Sequence, residues 1–271
     1  MFRSAAKVLI TTTLVLALVI PQSRTLPSFA EPIFTPIMDS TPAQVTLELM
    51  PKQDLDPVEP EVQEDGQSDP KIVDCKLEAC IALTFDDGPD QNTLKILASL
   101  NKRGAKATFF VVGTSVRANP DIARQIVEQG HEIAAHSFSH KRLTRLGDWE
   151  LKRDFGMANK IIFEATGERP KTFRPPYGIY SPRVLEAANL PVVMWSVDPQ
   201  DWRTRSSKQT VKSVLADAHP GAIVVMHDPL ISTVNAVPVL LRELSERGYN
   251  FVTVSTLLGN MEPGLIYRAG Q

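Results

Sequence analysis

Residues 81–112 read IALTFDDGPDQNTLKILASLNKRGAKATFFVV, and this stretch decides the fold. It opens on an apolar run at 81–85 that stops at Asp86-Asp87-Gly88-Pro89. Leu94, Leu97 and Leu100 then recur at a spacing of three, one face of a helix over 93–102. A second apolar run follows at 107–112. Strand, helix and strand in that order, with strands apolar throughout, make a parallel unit whose sheet is covered on both faces.

The alternation continues outward. Further strands are expected at 132–135, 172–174, 192–196, 222–226 and 250–254. Helices are expected at 120–129, 148–166, 182–188, 209–218 and 234–247. Pro120 opens the first of these and Gly130 follows it, the usual asymmetry of helix ends. The helix at 148–166 gathers Leu151, Phe155, Ala158, Ile162 and Ala165 on one face. Seven strands alternating with six helices give an α/β protein with a parallel sheet. An open doubly wound sheet and a (β/α) barrel satisfy this periodicity equally.

Composition sets the surroundings. The 271 residues are 43% hydrophobic and 22% charged, ordinary for a globular chain. Charge is unevenly placed: 10 acids against 4 bases in residues 1–70, and 21 against 25 in the remainder. A surplus of four bases over 201 residues is too weak to argue nucleic-acid binding. Arg3 and Lys7 precede an uncharged run at 8–20, and Ser28-Phe29-Ala30 offers small residues for cleavage. Residues 1–30 therefore read as an export signal, or as an uncleaved N-terminal anchor giving the sole membrane contact. Either places the body at the cell surface or outside the cell. Residues 31–70, rich in proline and acids, bury too little apolar surface to order themselves and read as a disordered linker. Residues 71–271 are the folded domain. Cys75 and Cys80 precede the first strand, and an exported setting favours a disulfide between them.

In parallel α/β folds, functional side chains collect where strands end. Here the ends carry Asp86 and Asp87, then His136 and His140, then Arg174-Pro175-Pro176-Tyr177, then Asp198, Asp201 and Trp202, then His227-Asp228. Adjacent carboxylates repel unless a cation stands beside them, and either a metal or an arginine answers that need. His136 and His140, four apart, can face one ion from a helical turn. Two imidazoles and a carboxylate leave a fourth position open for water, as in catalytic zinc sites. Ser137 after the first histidine argues against the zinc-peptidase motif, which has Glu there.

Taken together these motifs resemble the polysaccharide deacetylases with a NodB-homology domain, carbohydrate esterase family four. Thr84-Phe85-Asp86-Asp87-Gly88-Pro89, His136-Ser137-Phe138-Ser139-His140, Arg174-Pro175-Pro176-Tyr177 and Asp198-Pro199-Gln200-Asp201-Trp202 look like its first four motifs, in order. Val225-Met226-His227 stands in the place of the fifth, with Val where Leu is usual. The resemblance implies a distorted (β/α) barrel of about seven strands. It implies Asp87, His136 and His140 as ligands of a divalent metal, Zn²⁺ first, with Co²⁺, Ni²⁺ or Mn²⁺ as alternatives. It implies Asp86 as general base paired with Arg174, the Tyr177 N–H as oxyanion donor, and His227 as general acid supported by Asp201. Tyr177, Trp202 and Val225 would touch substrate. The implied reaction is removal of acetyl groups from N-acetylated sugars of a polysaccharide, peptidoglycan before chitin, by a monomer. An acetylxylan O-esterase and a non-catalytic glycan-binding protein are the competing readings.

Overall fold

The computed structural model describes residues 73–270. The expected signal segment and linker lie outside the described residues. Among those described, no helix is long and apolar enough to cross a membrane.

The central strand is β1 (Cys80–Asp86). It pairs in parallel along one edge with β5 (Ala222–His227). Its other edge is shared by β2 (Thr108–Val111) at the C-terminal half and β6 (Asn250–Phe251) at the start. β2 continues to β3 (Glu132–Ala135). A second small sheet joins β4 (Val192–Val193) to β7 (Ile266–Tyr267). Single-residue parallel bridges close the ring, from Ala135 to Phe173, Phe173 to Val192, and Val197 to Val224. Closure by isolated bridges makes this a distorted barrel and resolves the choice that periodicity left open.

Around it run α1 (Gln91–Asn101), α2 (Gly113–Ala118), α3 (Pro120–Glu128), α4 (Asp148–Thr166), α5 (Pro182–Ala188), α6 (Asp201–Thr204), α7 (Ser207–Asp217), α8 (Ile231–Glu246) and α9 (Val254–Leu258). Asp90 caps α1 by accepting from the Asn92 and Thr93 amides, while the Thr93 hydroxyl accepts from the Asp90 N–H. Helix α4 ends at Gly167, whose φ of 76° favours glycine.

The period-two alternation of the strands sorts two cores. Ile81, Leu83 and Phe85 of β1, with Phe109 and Val111 of β2, pack outward among the helices. Ala82, Phe110, Ala134, Val193 and Ile223 fill the barrel interior, and Val254 and Leu257 of α9 pack with them from the N-terminal end. At that end a disulfide joins Cys75 to Cys80.

Several expected elements shift. The strand at 172–174 reduces to the bridging residue Phe173, and 192–196 shortens to two residues. The run at 250–254 stops after Phe251, because Thr253 caps α9 through its hydroxyl. β7, α2, α6 and α9 lie outside the expected elements; each spans only two to six residues, too short to show a period.

Phe109 is fully buried and its ring stacks on Phe85 at 5.1 Å. Phe109→Ala is expected to destabilise the domain by about 3–5 kcal/mol, read as a lower denaturation midpoint.

Candidate active site

The alternation that points Ala82 inward also points Thr84 and Asp86 inward, one and two steps nearer the open end of the barrel. Arg174 enters from the chain after Phe173 and is 0% exposed. Its guanidinium donates to Thr84 Oγ1 and Asp86 Oδ1, each at 2.8 Å, and to the Val193 and Met194 carbonyls, each at 2.9 Å. The Thr84 hydroxyl in turn donates to the Val224 carbonyl at 2.7 Å. The plane of Arg174 lies 3.9 Å from the Phe110 ring centroid. Burial lowers the Arg174 pKa, with Asp86 opposing, and a guanidinium so placed remains charged. The cation that the paired carboxylates required is thus an arginine for Asp86. Asp86 Oδ2 accepts no hydrogen bond among the described residues and lies 3.9 Å from His136 Nε2.

Asp87 has a different neighbourhood. Its Oδ1 lies 3.6 Å from His136 Nε2 and 3.0 Å from His140 Nε2. That oxygen is buried and accepts no hydrogen bond among the described residues. Burial raises the Asp87 carboxyl, but the His140 contact and the imidazoles of His136, His140 and His227 outweigh it and bring the pKa to about 2. His136 Nδ1 stands 2.8 Å from the Arg174 carbonyl, an obligate acceptor. Nδ1 therefore carries the proton, and Nε2 keeps its lone pair toward Asp87. Burial lowers the His136 pKa from the ordinary imidazole value, with Asp86 and Asp87 opposing, and so favours the neutral ring. Asp87, His136 and His140 offer ligand atoms all within 4.8 Å of one another. An orphaned carboxylate oxygen between two imidazole nitrogens fits a divalent transition cation.

His227, at the end of β5, faces the same space. Its Nδ1 lies 2.7 Å from Asp201 Oδ1 and its backbone N–H donates to Asp201 Oδ2 at 2.8 Å. Thr233 and the Trp202 N–H complete the shell of this fully buried carboxylate. Burial lowers the His227 pKa, but the Asp201 hydrogen bond and charge, with Asp86 and Asp87, raise it to about 9. His227 is a cation at neutral pH. Tyr177 is 61% exposed, and its hydroxyl donates to the His140 carbonyl at 3.2 Å. The Tyr177 N–H reaches no acceptor among the described residues.

Four site residues hold a left-handed backbone: Asp87 (φ 80°), Ser137 (66°), His140 (51°) and Tyr177 (62°). Such conformations cost on the order of 1 kcal/mol or more each and persist where neighbours enforce them. The histidine pair therefore lies on a loop, not on the expected helical turn. Asp154 of α4 enforces that loop, accepting from the Phe138 N–H at 2.7 Å and from the Ser139 N–H and hydroxyl. The Ser137 hydroxyl accepts from the His140 N–H at 2.9 Å. Behind Asp87, the buried Asp228 accepts from the Gly88 N–H at 2.8 Å and from the Thr93 hydroxyl. A Cβ on Gly88 would meet the Asp228 carboxylate at 1.9 Å, which is why glycine stands there. Burial raises the Asp228 pKa to about 7, its two hydrogen bonds opposing.

Asp154, Trp195 and Thr233 escaped sequence reasoning, and Asp228 was seen only as a polar residue beside His227. Asp154 left a signal, an acid between Leu151 and Phe155 on an otherwise apolar face. A cavity of ≈ 470 Å³ gathers Asp86, Asp87, His136, His140, Tyr177, Trp195, Asp198, Trp202, Val225 and His227. Arg174 and Asp201 are absent from its wall because both lie beneath it, fully buried. Trp202 is 53% exposed at the rim, and Val225 is buried in the floor.

A family model described as polysaccharide deacetylase matches residues 74–193. The peptidoglycan-N-acetylglucosamine deacetylase PgdA of Listeria monocytogenes is 41% identical over 191 residues, covering 70% of this chain and 41% of that protein. A peptidoglycan-N-acetylglucosamine deacetylase of Bacillus cereus is 38% identical over 190 residues, covering 67% of this chain and 89% of the relative. The solved structure described as T48 deacetylase with substrate superposes with a TM-score of 0.70 at 38% identity, covering 72% of this chain and 99% of that one. This chain spans about two fifths of the length of the Listeria protein it matches.

The raised His227 pKa is attributed chiefly to Asp201. Asp201→Asn is expected to bring the His227 titration well below about 9, followed by the ring proton resonances in NMR.

Proposed function

The chain belongs to the polysaccharide deacetylase family, and on that premise we propose that it is a hydrolase that removes acetyl groups from N-acetylated sugars of peptidoglycan. The observation that carries this reading is the division of labour between two adjacent carboxylates. Asp86 is committed to Arg174, while Asp87 is turned to two imidazoles. One aspartate is thereby a base and its neighbour a ligand.

Asp87, His136 and His140 would hold the divalent cation, with Zn²⁺ preferred for this carboxylate and imidazole set. When bound, it supplies Lewis-acid polarisation of the acetyl carbonyl and acidity to the attacking water. The remaining work falls to the chain. Asp86 Oδ2 takes the proton of that water, while Arg174 on Oδ1 fixes the direction of the carboxylate. The Tyr177 N–H, stiffened by Pro175 and Pro176, donates to the carbonyl oxygen as it gains negative charge. His227 gives its Nε2 proton to the departing amine, its Nδ1 being held by Asp201. Val225 and Trp202 flank the acetyl methyl.

Residues 1–30 carry the signal or anchor, 31–70 a linker, and 71–271 the deacetylase domain, acting as a monomer outside the cell or on its surface. The disulfide between Cys75 and Cys80 supports an oxidising compartment. The cell-wall substrates in the relatives' names support peptidoglycan.

Acetate release from peptidoglycan, chitin oligomers and acetylxylan, each with and without chelator, tests the proposal. Chelator-sensitive release, greatest from peptidoglycan, is expected. Release from acetylxylan alone would make the chain an O-esterase instead. Asp86→Asn is expected to keep metal while activity falls by at least about 10²-fold. His136→Ala is expected to lose both metal and activity, with zinc content read by atomic absorption.

A further inference from the structure

Helix α4 follows β3 through the His136–His140 loop, so its first turn stands on the barrel rim where the strands end. On that turn Trp149 is 69% exposed. A second cavity, of ≈ 210 Å³, lies between it and the loop, lined among others by Ser139, Lys141, Trp149 and Arg153. Ser139 is the chain neighbour of His140, which lines the first cavity, so the two cavities flank adjacent residues of one loop.

Two features of this surface point to a ligand. The Arg153 guanidinium stands 5.2 Å from the Trp149 ring centroid, presenting a cation and an aromatic plane together. Lys141 and Arg153 are both exposed, and neither pairs with an acid among the described residues. Glu150 and Asp154 line the same cavity, but neither pairs with Lys141 or Arg153 among the described residues: Glu150 accepts from the Gly147 N–H, and Asp154 from Phe138 and Ser139. An aromatic plane suits the apolar face of a pyranose ring, and two unpaired cations beside it suit a carboxylate.

We propose that this surface is a sugar subsite that reads the acid-bearing neighbour of the residue being deacetylated. The pyranose lies against Trp149, and its carboxylate meets Lys141 and Arg153. The occupant is the muramic-acid unit of peptidoglycan, whose lactyl group or attached peptide carries the acid. Chitin has no acid at that position. This inference rests on the deacetylase reading and adds its substrate selectivity.

The test uses the full chain and three probes: a peptidoglycan tetrasaccharide with its peptides, the same sugar stripped of peptide, and chitotetraose. Binding is followed by calorimetry with chelator present, so that it is read without turnover, and acetate release is measured separately. Lys141→Glu/Arg153→Glu is expected to weaken both acid-bearing probes by about tenfold or more while leaving chitotetraose within about twofold. Lys141→Gln, a milder change, should move in the same direction. Trp149→Ala should weaken all three by about tenfold, because the ring platform is shared. Loss of only the peptide-bearing probe would place the recognised acid on the peptide. Loss of both shows that the site takes a carboxylate from either source, because the lactyl carboxyl is an amide wherever the peptide is attached. Equal affinity for acidic and neutral probes in the unmodified protein, or equal losses for all three in the charge-reversed variant, would overturn the subsite. Acetate release with equal affinities would sink the subsite and spare the deacetylase. Selective binding without any acetate release would do the reverse.

Discussion

The buried contact between Arg174 and Asp86 is the constraint on which the rest of the site depends. A guanidinium removed from water loses several kcal/mol of hydration, which must be recovered from partners in good geometry. Arg174 recovers it from one carboxylate, one hydroxyl, two carbonyls and an aromatic face, all inside the barrel. Those partners sit on β1, on β2 and on the chain around β4, so Arg174 ties separate walls together where sheet pairing is thinnest. Ring closure there rests on single bridges. The same contact engages Asp86 Oδ1, which leaves Asp87 as the carboxylate turned to the two imidazoles.

From this follows the spatial order of the site. Strand alternation points Thr84 and Asp86 inward, and the left-handed turn at Asp87 swings the next carboxylate toward the histidine loop. Asp228 holds that turn from behind through Gly88, and Asp154 holds the histidine loop from below. Two buried carboxylates that do not line the first cavity thus keep strained backbone in place for those that do. Asp201 is a third of the same kind, because it lies under His227 and sets the charge of that ring.

Much of this was legible in the sequence because it depends on short-range rules. Apolar runs of five or six residues marked β1, β2 and β5, and the polar residues at their ends marked the site. Asp86, Asp87, His136, His140, Arg174, Tyr177, Asp201, Trp202, Val225 and His227 all come to one cavity or lie directly beneath it. What escaped depends on tertiary contact. Phe173 bridges two strands alone, and no periodicity exists for one residue. A helical turn was a fair expectation for two histidines four apart, but the Ser137 hydroxyl and the Asp154 carboxylate offer that backbone better partners than a helix does. Asp154 and Asp228 contribute by capping amides on other elements, and such pairings leave no spacing to read. Barrel against open sheet was likewise a question of closure, settled by bridges between residues distant in sequence.

The central claim is that two neighbouring aspartates are divided between an arginine and a metal. Anomalous diffraction at the zinc edge, from a crystal soaked in zinc, tests it most directly. The account predicts one ion bound by Asp87, His136 and His140, with Asp86 still on Arg174 and outside the coordination shell. An ion bound by Asp86 with Arg174 released, or those three side chains pointing apart with no ion between them, would contradict it.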